Sequence, residues 1–459
     1  MGSIGISFGS PTSGQGFDVS STVSQIVANL QAIETPWQTQ ISTLQSQDTV
    51  LTSIGSDLNN LSNTLQNLTD FEGVLSGKEG SSSDTSVLQL ISAASNAVAG
   101  SHTVVVNSLA QTSSYYSDAV SSTDTLSGSI TLSVGSGTAQ TITLDSTDNT
   151  IATLADAINS GNYGVAASVI TDGSTQRLSL VSNTSGAAGD INLTSALTDS
   201  TTSAAVNFTQ AQAGQDAQFT VDGISATSSS NTVSNVIPGV TFQLLSASPG
   251  TSIQIEITND NSSVESVVNN FVSAYNTVIT DINSQEQDDA SGNPEPLFGS
   301  PTLSTLQEEL QQALDFTQPS GAVTSLTQLG VSVNNDGTLS LNVDTLDSEL
   351  NSNYQDVVNF FQPSGSFTSF GSNFSDALNN LGNSTPSSLI SLALSEDSTQ
   401  ESALSANISN ENTQISSQEA SLTTELNEAN YTLEEIPSQL DYVNELYSAI
   451  TGYNENTNG

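Results

Sequence analysis

Two apolar stripes, one near each end of the chain, constrain its folding more than any other feature. The first runs from about Val19 to Leu68. Its apolar residues are Val23, Ile26, Leu30, Ile33, Trp37, Ile41 and Leu44 and, past a polar interruption at Asp48, Leu51, Ile54, Leu58, Leu61, Leu65 and Leu68. The second, from about Leu404 to Ile450, carries Leu422, Leu426, Ala429, Leu433, Ile436, Leu440, Val443 and Ile450. Steps of three and four place such residues along one side of a helix. Nearly everything between them is Ser, Thr, Asn, Gln, Asp or Glu. A narrow stripe in water has nothing to bury against, and most helical stability comes from packing it. Burial stabilises by roughly 1.5–3 kcal/mol per Leu, so pairing the stripes could offset the ordering entropy of a long hairpin. The pattern predicts that the two ends pack on each other or on a partner.

Residues 1–18 read as a flexible leader, with Asp18 or Ser20 able to cap the first helix. Thr35-Pro36 predicts a restart of the helix with Thr35 as cap and Pro36 in the first turn, or else a kink. Residues 70–84, rich in Gly and Ser, read as a linker. From Val87 the period becomes two, with strands at Leu88–Leu90 and Thr103–Val106. A hairpin turns about Gly135-Ser136-Gly137, between 130–134 and 141–144. A short amphipathic helix covers 151–159, strands cover 165–170 and 177–181, and 182–213 reads as a Thr/Ser/Ala-rich loop. A second β region begins at Phe219, turns at Asp222-Gly223, and runs through 240–245 to 253–257. Helical periodicity returns at 264–282 and 302–314. A hairpin about Asp336-Gly337 follows, then helices over 344–361, a stretch of unassigned form over 362–386, and the final helix. The order is helices, β regions, helices: a chain that goes out along a helical stalk, builds a head and returns.

The 459 residues suffice for three or four domains. Lys78 and Arg177 stand against 47 acids, for a net charge of −45, so internal salt bridges are nearly excluded. Such a charge repels nucleic acid and anionic membranes, which are excluded as partners. There is no cysteine, and no run of about 18 apolar residues that could span a membrane. The first residues lack the basic start and apolar run of a cleavable signal, which predicts a cytoplasmic protein or export by another route.

Catalytic sets are wanting. His102 is the only histidine, so any His-dependent nucleophile would need it. Carboxylate pairs such as Asp288/Asp289 and Glu434/Glu435 read as solvated surface in so acidic a chain. Asn334-Asn335-Asp336-Gly337 lacks the alternating acids and closing Glu of a calcium loop and reads as a turn. The expectation is no enzyme, no cofactor and no metal site.

Several ordered stretches resemble one family. They are Gly14-Gln15-Gly16-Phe17-Asp18-Val19 followed by Ile26-Val27, and residues 97–110 (Ala-Val-Ala-Gly-Ser-His-Thr-Val-Val-Val-Asn-Ser-Leu-Ala). Next come 150–159 with 165–169 and 177–180, similar to a hook/flagellin insertion motif, and 217–224 with 231–233 and 237–241, similar to its second copy. Phe271–Asn276 and Leu329–Leu341 complete the set. The sequence resembles the flagellar filament capping protein family, also called hook-associated protein 2, over nearly its whole length.

The resemblance implies an α+β multidomain fold, with N- and C-terminal helices forming a coiled-coil leg and antiparallel β-rich head domains inserted between them. The expected domains are 1–71 (leader and leg), 80–118 with 213–260 (head), 119–212 (second head, with the insertion motif), 261–361 (helical and hairpin stalk) and 362–459 (C-terminal leg). The implied function is a ring of copies at the distal filament tip that retains exported flagellin and promotes its folding and polymerisation. Implied partners are further copies of the chain, flagellin, hook–filament junction proteins, and a cytosolic export chaperone on the C-terminal helix. The chain would be secreted to the flagellum without a cleavable signal peptide. Partner-contact candidates are Ile26, Leu30, Ile33, Trp37, Leu433, Ile436, Leu440, Val443, Leu446 and Ile450. An extracellular adhesin, or another hook-associated or flagellin-like subunit, is the alternative. Where the family's terminal helices usually carry Lys and Arg, this chain is neutral or acidic, which suggests work in an acidic or cation-rich medium.

Overall fold

The computed structural model describes residues 16–147, 149–363, 368–382 and 385–452. Most of the expected leader, together with Gly14 and Gln15 of the first family-like stretch, lies outside the described residues. The chain forms two compact units, one of Asp70–Val267 and the other of Met1–Thr69 with Val268–Gly459.

Helix α1 (Val19–Gln31) begins at Asp18, whose side chain accepts from the Ser21 backbone N–H at 3.0 Å. A 3-10 turn over Ala32–Glu34 leads into α2 (Thr35–Thr69). Thr35 is itself helical, at φ −54° and ψ −44°, and its N–H bonds the Ala32 carbonyl. It is therefore not the expected cap. The N–H that Pro36 lacks falls where the pitch tightens, so the chain passes from one helix to the next without a fresh N-terminus. Burial along α2 runs from Leu44 through Leu51, Ile54, Leu58, Leu61 and Leu65 to Leu68.

The β-rich unit opens with β1 (Lys78–Ser82), β2 (Leu88–Ala93), β3 (Gly100–Ser108), β4 (Thr112–Ser117), β5 (Val120–Ser121), β6 (Leu126–Ser127), β7 (Ser129–Val134) and β8 (Gln140–Thr143). After α3 (Ile151–Gly161) come β9 (Val165–Asp172), β10 (Thr175–Ser185), β11 (Ile191–Ser195), β12 (Thr198–Asp199) and β13 (Phe208–Gln212). It closes with β14 (Ala217–Val221), β15 (Ile224–Ser228), β16 (Thr232–Ser234), β17 (Val240–Leu244) and β18 (Ile253–Asn259). One sheet has the order β15-β14-β3-β18-β1-β2-β17-β16, with antiparallel neighbours throughout. Its core includes Leu88, Val104, Val106 and Ile255, with Phe219 and Phe242 edge to face at 6.0 Å. A second core gathers Ile130, Leu132, Leu154, Ile158, Leu178, Leu180 and Ile191 around α3, the β13-β4-β10-β5 sheet with β9, and the β11-β7-β8 sheet.

Two stretches differ from the sequence reading. The expected linker 70–84 contains β1, an inner strand of the large sheet paired to β18 from Lys78↔Asn259 to Ser82↔Ile255. Lys-Glu-Gly-Ser-Ser has no strand-like side chains, so its main-chain ladder holds it there. The expected loop 182–213 contains the end of β10 and all of β11, β12 and β13. These are short and mostly Thr, Ser and Gln; Ile191 anchors β11, and the buried Ser113 hydroxyl accepts from its N–H at 3.0 Å.

The division between the units falls inside α4 (Asn261–Gln285). The helical unit continues with α5 (Pro301–Leu314), β19 (Val331–Val333), β20 (Leu339–Leu341), α6 (Val343–Ser352), α7 (Tyr354–Phe361), α8 (Phe370–Leu381) and α9 (Leu389–Thr451). Helix α8 falls within 362–386, for which the sequence predicts no particular form. Its Phe370, Phe374, Leu378 and Leu381 form a helical stripe diluted by Gly, Ser and Asn. Phe360 stacks on Phe370 at 5.1 Å, and Phe271 meets Phe374 edge to face at 5.5 Å. Helix α9 starts well before the expected Leu404, because Ile390 is buried in this core, and it runs on through Pro437.

Candidate interaction surface

The two terminal stripes meet. The Phe17 backbone N–H donates to Asn430 Oδ1 at 2.7 Å. Farther along, the Asp48 and Asp397 side chains come into hydrogen-bonding contact. Together these contacts set α1 and α2 antiparallel to α9, and both pack on it. Of the α1–α2 candidates, Ile26, Leu30 and Trp37 are half-buried, whereas Ile33 is 52% exposed.

Past Asn430 the situation changes. The antiparallel register carries α9 beyond the start of α1, and exposure of its apolar residues rises toward the end of the helix. The stripe nevertheless continues in threes and fours through Leu433, Ile436, Leu440, Val443, Tyr447 and Ile450. Leu433 and Ile436 are half-buried. Leu440, Val443, Leu446 and Ile450 are 41%, 60%, 57% and 75% exposed. A run of large apolar groups bared on one helix is what an interaction surface requires. Tyr431, Tyr442 and Tyr447 are exposed beside it; the sequence reading passed over them, although Tyr447 fills the gap between Val443 and Ile450. The surroundings are Glu434, Glu435, Asp441 and Glu445, and neither Lys nor Arg occurs anywhere in the helical unit. The Tyr431 hydroxyl donates to Glu435, which raises its pKa. The surface is apolar with an acidic rim, so it suits a partner with apolar and neutral or basic groups.

The chain's few basic groups hold strands together. His102 Nδ1 lies 2.7 Å from Asp222 Oδ2, and Asp222 Oδ1 accepts from the Thr103 N–H at 2.8 Å. These hydrogen bonds, the one from His102 first, hold the Asp222 carboxyl below the usual carboxylate range. Asp222 and Gly223 form the β14–β15 turn with φ of 49° and 81°, so the pair pins a hairpin to β3. Lys78 Nζ donates to Asn259 Oδ1 at 2.6 Å. An Arg177 guanidinium N–H donates to the Ser117 carbonyl at 2.8 Å. At the Asn334–Gly337 turn, Asp336 accepts from the Thr338 N–H and hydroxyl, which lowers its pKa. Among the described residues no group of three or more His, Asp or Glu is arranged to hold a metal ion. No helix in the described residues is long and apolar enough to cross a membrane.

A helical unit formed from both chain ends, interrupted by a β-rich unit and bearing a bared apolar helix end, defines a protein built from surfaces for assembly. The family models agree. Flagellar hook-associated protein 2 C-terminus matches residues 214–449, its N-terminus matches 15–113, and the flagellin hook IN motif matches 129–184. The B-type flagellar hook-associated protein 2 of Pseudomonas aeruginosa is 30% identical over 356 residues, 70% of this chain and 74% of that one. The flagellar hook-associated protein 2 of Escherichia coli K12 is 28% identical over 400 residues, 80% and 84% of the two chains. The fold is that of the flagellar cap protein FliD D1-D2-D3 domains from Escherichia coli, with a TM-score of 0.56 and 24% identity over 76% of this chain and 99% of that one. The chain belongs to the flagellar hook-associated protein 2 family.

Proposed function

We propose that the protein is a flagellar filament cap. Copies of the chain form a closed ring at the distal filament tip, retain exported flagellin there, and promote its folding and polymerisation. The observation that carries this reading is the apolar stripe from Leu440 to Ile450, exposed on α9 in a member of this family. A chain that works as a single copy needs no such surface; an assembly protein does. Ile26, Leu30, Ile33, Trp37, Leu433 and Ile436 would extend the contact toward α1. In the assembled cap the stripe would face flagellin or a neighbouring copy. Before export the same stripe would be covered by a cytosolic chaperone, because exposed apolar helices aggregate. Hook–filament junction proteins complete the proposed partners.

The experiment replaces Leu440 and Val443 by Asp in the strain that carries the protein. The expected result is loss of swimming and release of unpolymerised flagellin into the medium, with the β-rich unit still folded. Rings of the wild-type protein in electron micrographs should be absent from the variant. Normal motility in the variant would overturn the reading.

A further inference from the structure

We infer that the helical unit is locked by two proton-sharing carboxyl contacts, Asp48 with Asp397 joining α2 to α9 and Asp57 with Asp281 joining α2 to α4, so that its helices pack more tightly as the medium becomes acidic. This goes beyond the cap reading and does not depend on it.

Asp48 occupies a stripe position. It interrupts the apolar series between Leu44 and Leu51, which are 6% and 2% exposed. It faces α9, where Asp397 meets it in hydrogen-bonding contact. Asp48 Oδ1 and, nearby on α9, Glu401 Oε1 are both shut off from water and receive no donor hydrogen. The groups acting on Asp397 are Asp48, Glu396 and Glu401. The second contact lies beside the buried Leu58: Asp57 meets Asp281 of α4. The other ionisable residues of neighbouring elements carry no positive charge: Glu265 and Tyr275 on α4, Glu308 and Glu309 on α5, Asp376 on α8, Glu34 before α2, and Glu295 beside Pro296, whose carbonyl accepts from Gln47, with none on α1. Lys78, Arg177 and His102 all belong to the β-rich unit. No side chain of the helical unit can neutralise these carboxylates.

Two carboxylates in hydrogen-bonding contact repel unless one carries a proton, which then bridges them. Burial, first, and the facing acid push Asp57 and Asp397 up to about 6. The unfolded chain binds these protons only near the ordinary value of 3.8. Between those values the folded state therefore holds more protons, and stability falls as pH rises through this window. The bridges are fully formed below the unfolded value and lost above the folded one.

Trp37, the only tryptophan, lies on α2 and reports on this unit. Thermal unfolding of the full chain, followed by Trp37 fluorescence at pH 5 and pH 7.5, tests the inference. The wild type should melt higher at pH 5, by on the order of 5 °C. Asp57→Asn with Asp397→Asn supplies a permanent N–H donor in place of each shared proton. That variant should melt higher than wild type at pH 7.5 and lose most of the pH response. Acid also relieves the general repulsion of a −45 chain. Glu419→Gln with Glu428→Gln, which removes two charges from exposed positions of α9, is therefore the control and should keep most of the response. An unchanged pH response in the Asp→Asn variant, a lower melting temperature or loss of folding at pH 7.5, or an equal flattening by the control would each overturn the inference.

Discussion

The Phe17 amide and the Asn430 side-chain oxygen lie 2.7 Å apart although 413 residues separate them in sequence. This hydrogen bond ties the start of α1 to α9. Asn430→Ala removes this hydrogen bond, a loss of about 0.5–1.5 kcal/mol. We expect faster hydrogen exchange over residues 19–31 with α2 protection unchanged. Equal loosening of α2 would show that the tie is not local.

Leu61 and Leu446 sit on the same kind of stripe but differ in cover, at 0% and 57% exposed. Leu61→Ala should destabilise the helical unit by about 2–5 kcal/mol, and Leu446→Ala by less than about 0.5 kcal/mol. Urea unfolding followed by Trp37 fluorescence separates the two. A large stability loss at Leu446 would mean that the end of α9 is buried within the single chain.

Gly80 lets β1 lie inside its sheet. A Cβ there would stand 2.6 Å from Leu90 Cδ2 and 3.0 Å from the Glu256 carbonyl oxygen. Leu90 can shift, but the β18 backbone cannot without breaking the ladder. Gly80→Val should cost about 1–3 kcal/mol. The loss should appear in the melting of the β-rich unit and leave the Trp37 transition in place.

Asp222 has its pKa lowered in the folded state, chiefly by the hydrogen bond from His102. Its contribution is therefore present above the unfolded value of 3.8 and is lost as pH falls through the lower folded value. Asn tolerates the left-handed backbone of this position, so Asp222→Asn isolates the charge. The variant should melt below wild type at neutral pH, and the difference should close only in strong acid. A pH-independent difference would refute the electrostatic account.

Much of this architecture is written locally. The three-and-four spacing from Val23 to Leu68, the Asp18 cap, the alternation in Val104 and Val106, and the Asp222-Gly223 and Asp336-Gly337 turns are short-range signals that survive in almost any surroundings. They suffice for the order of helices, strands and helices, and for Leu440, Val443 and Ile450 as surface candidates. Strand β1 and strands β11 to β13 were not legible, because Gly, Ser and Thr carry little preference of their own and take the form that a neighbouring ladder imposes. Periodicity likewise marks Leu61 and Val443 alike as stripe residues; that Leu61 is buried and Val443 exposed is decided by what packs on each helix in the folded chain. The same holds for Asp48, visible in the sequence only as an interruption. Packing sets it opposite Asp397, and since an acid's proton affinity answers to its neighbours in space, its chemistry belongs to the folded chain.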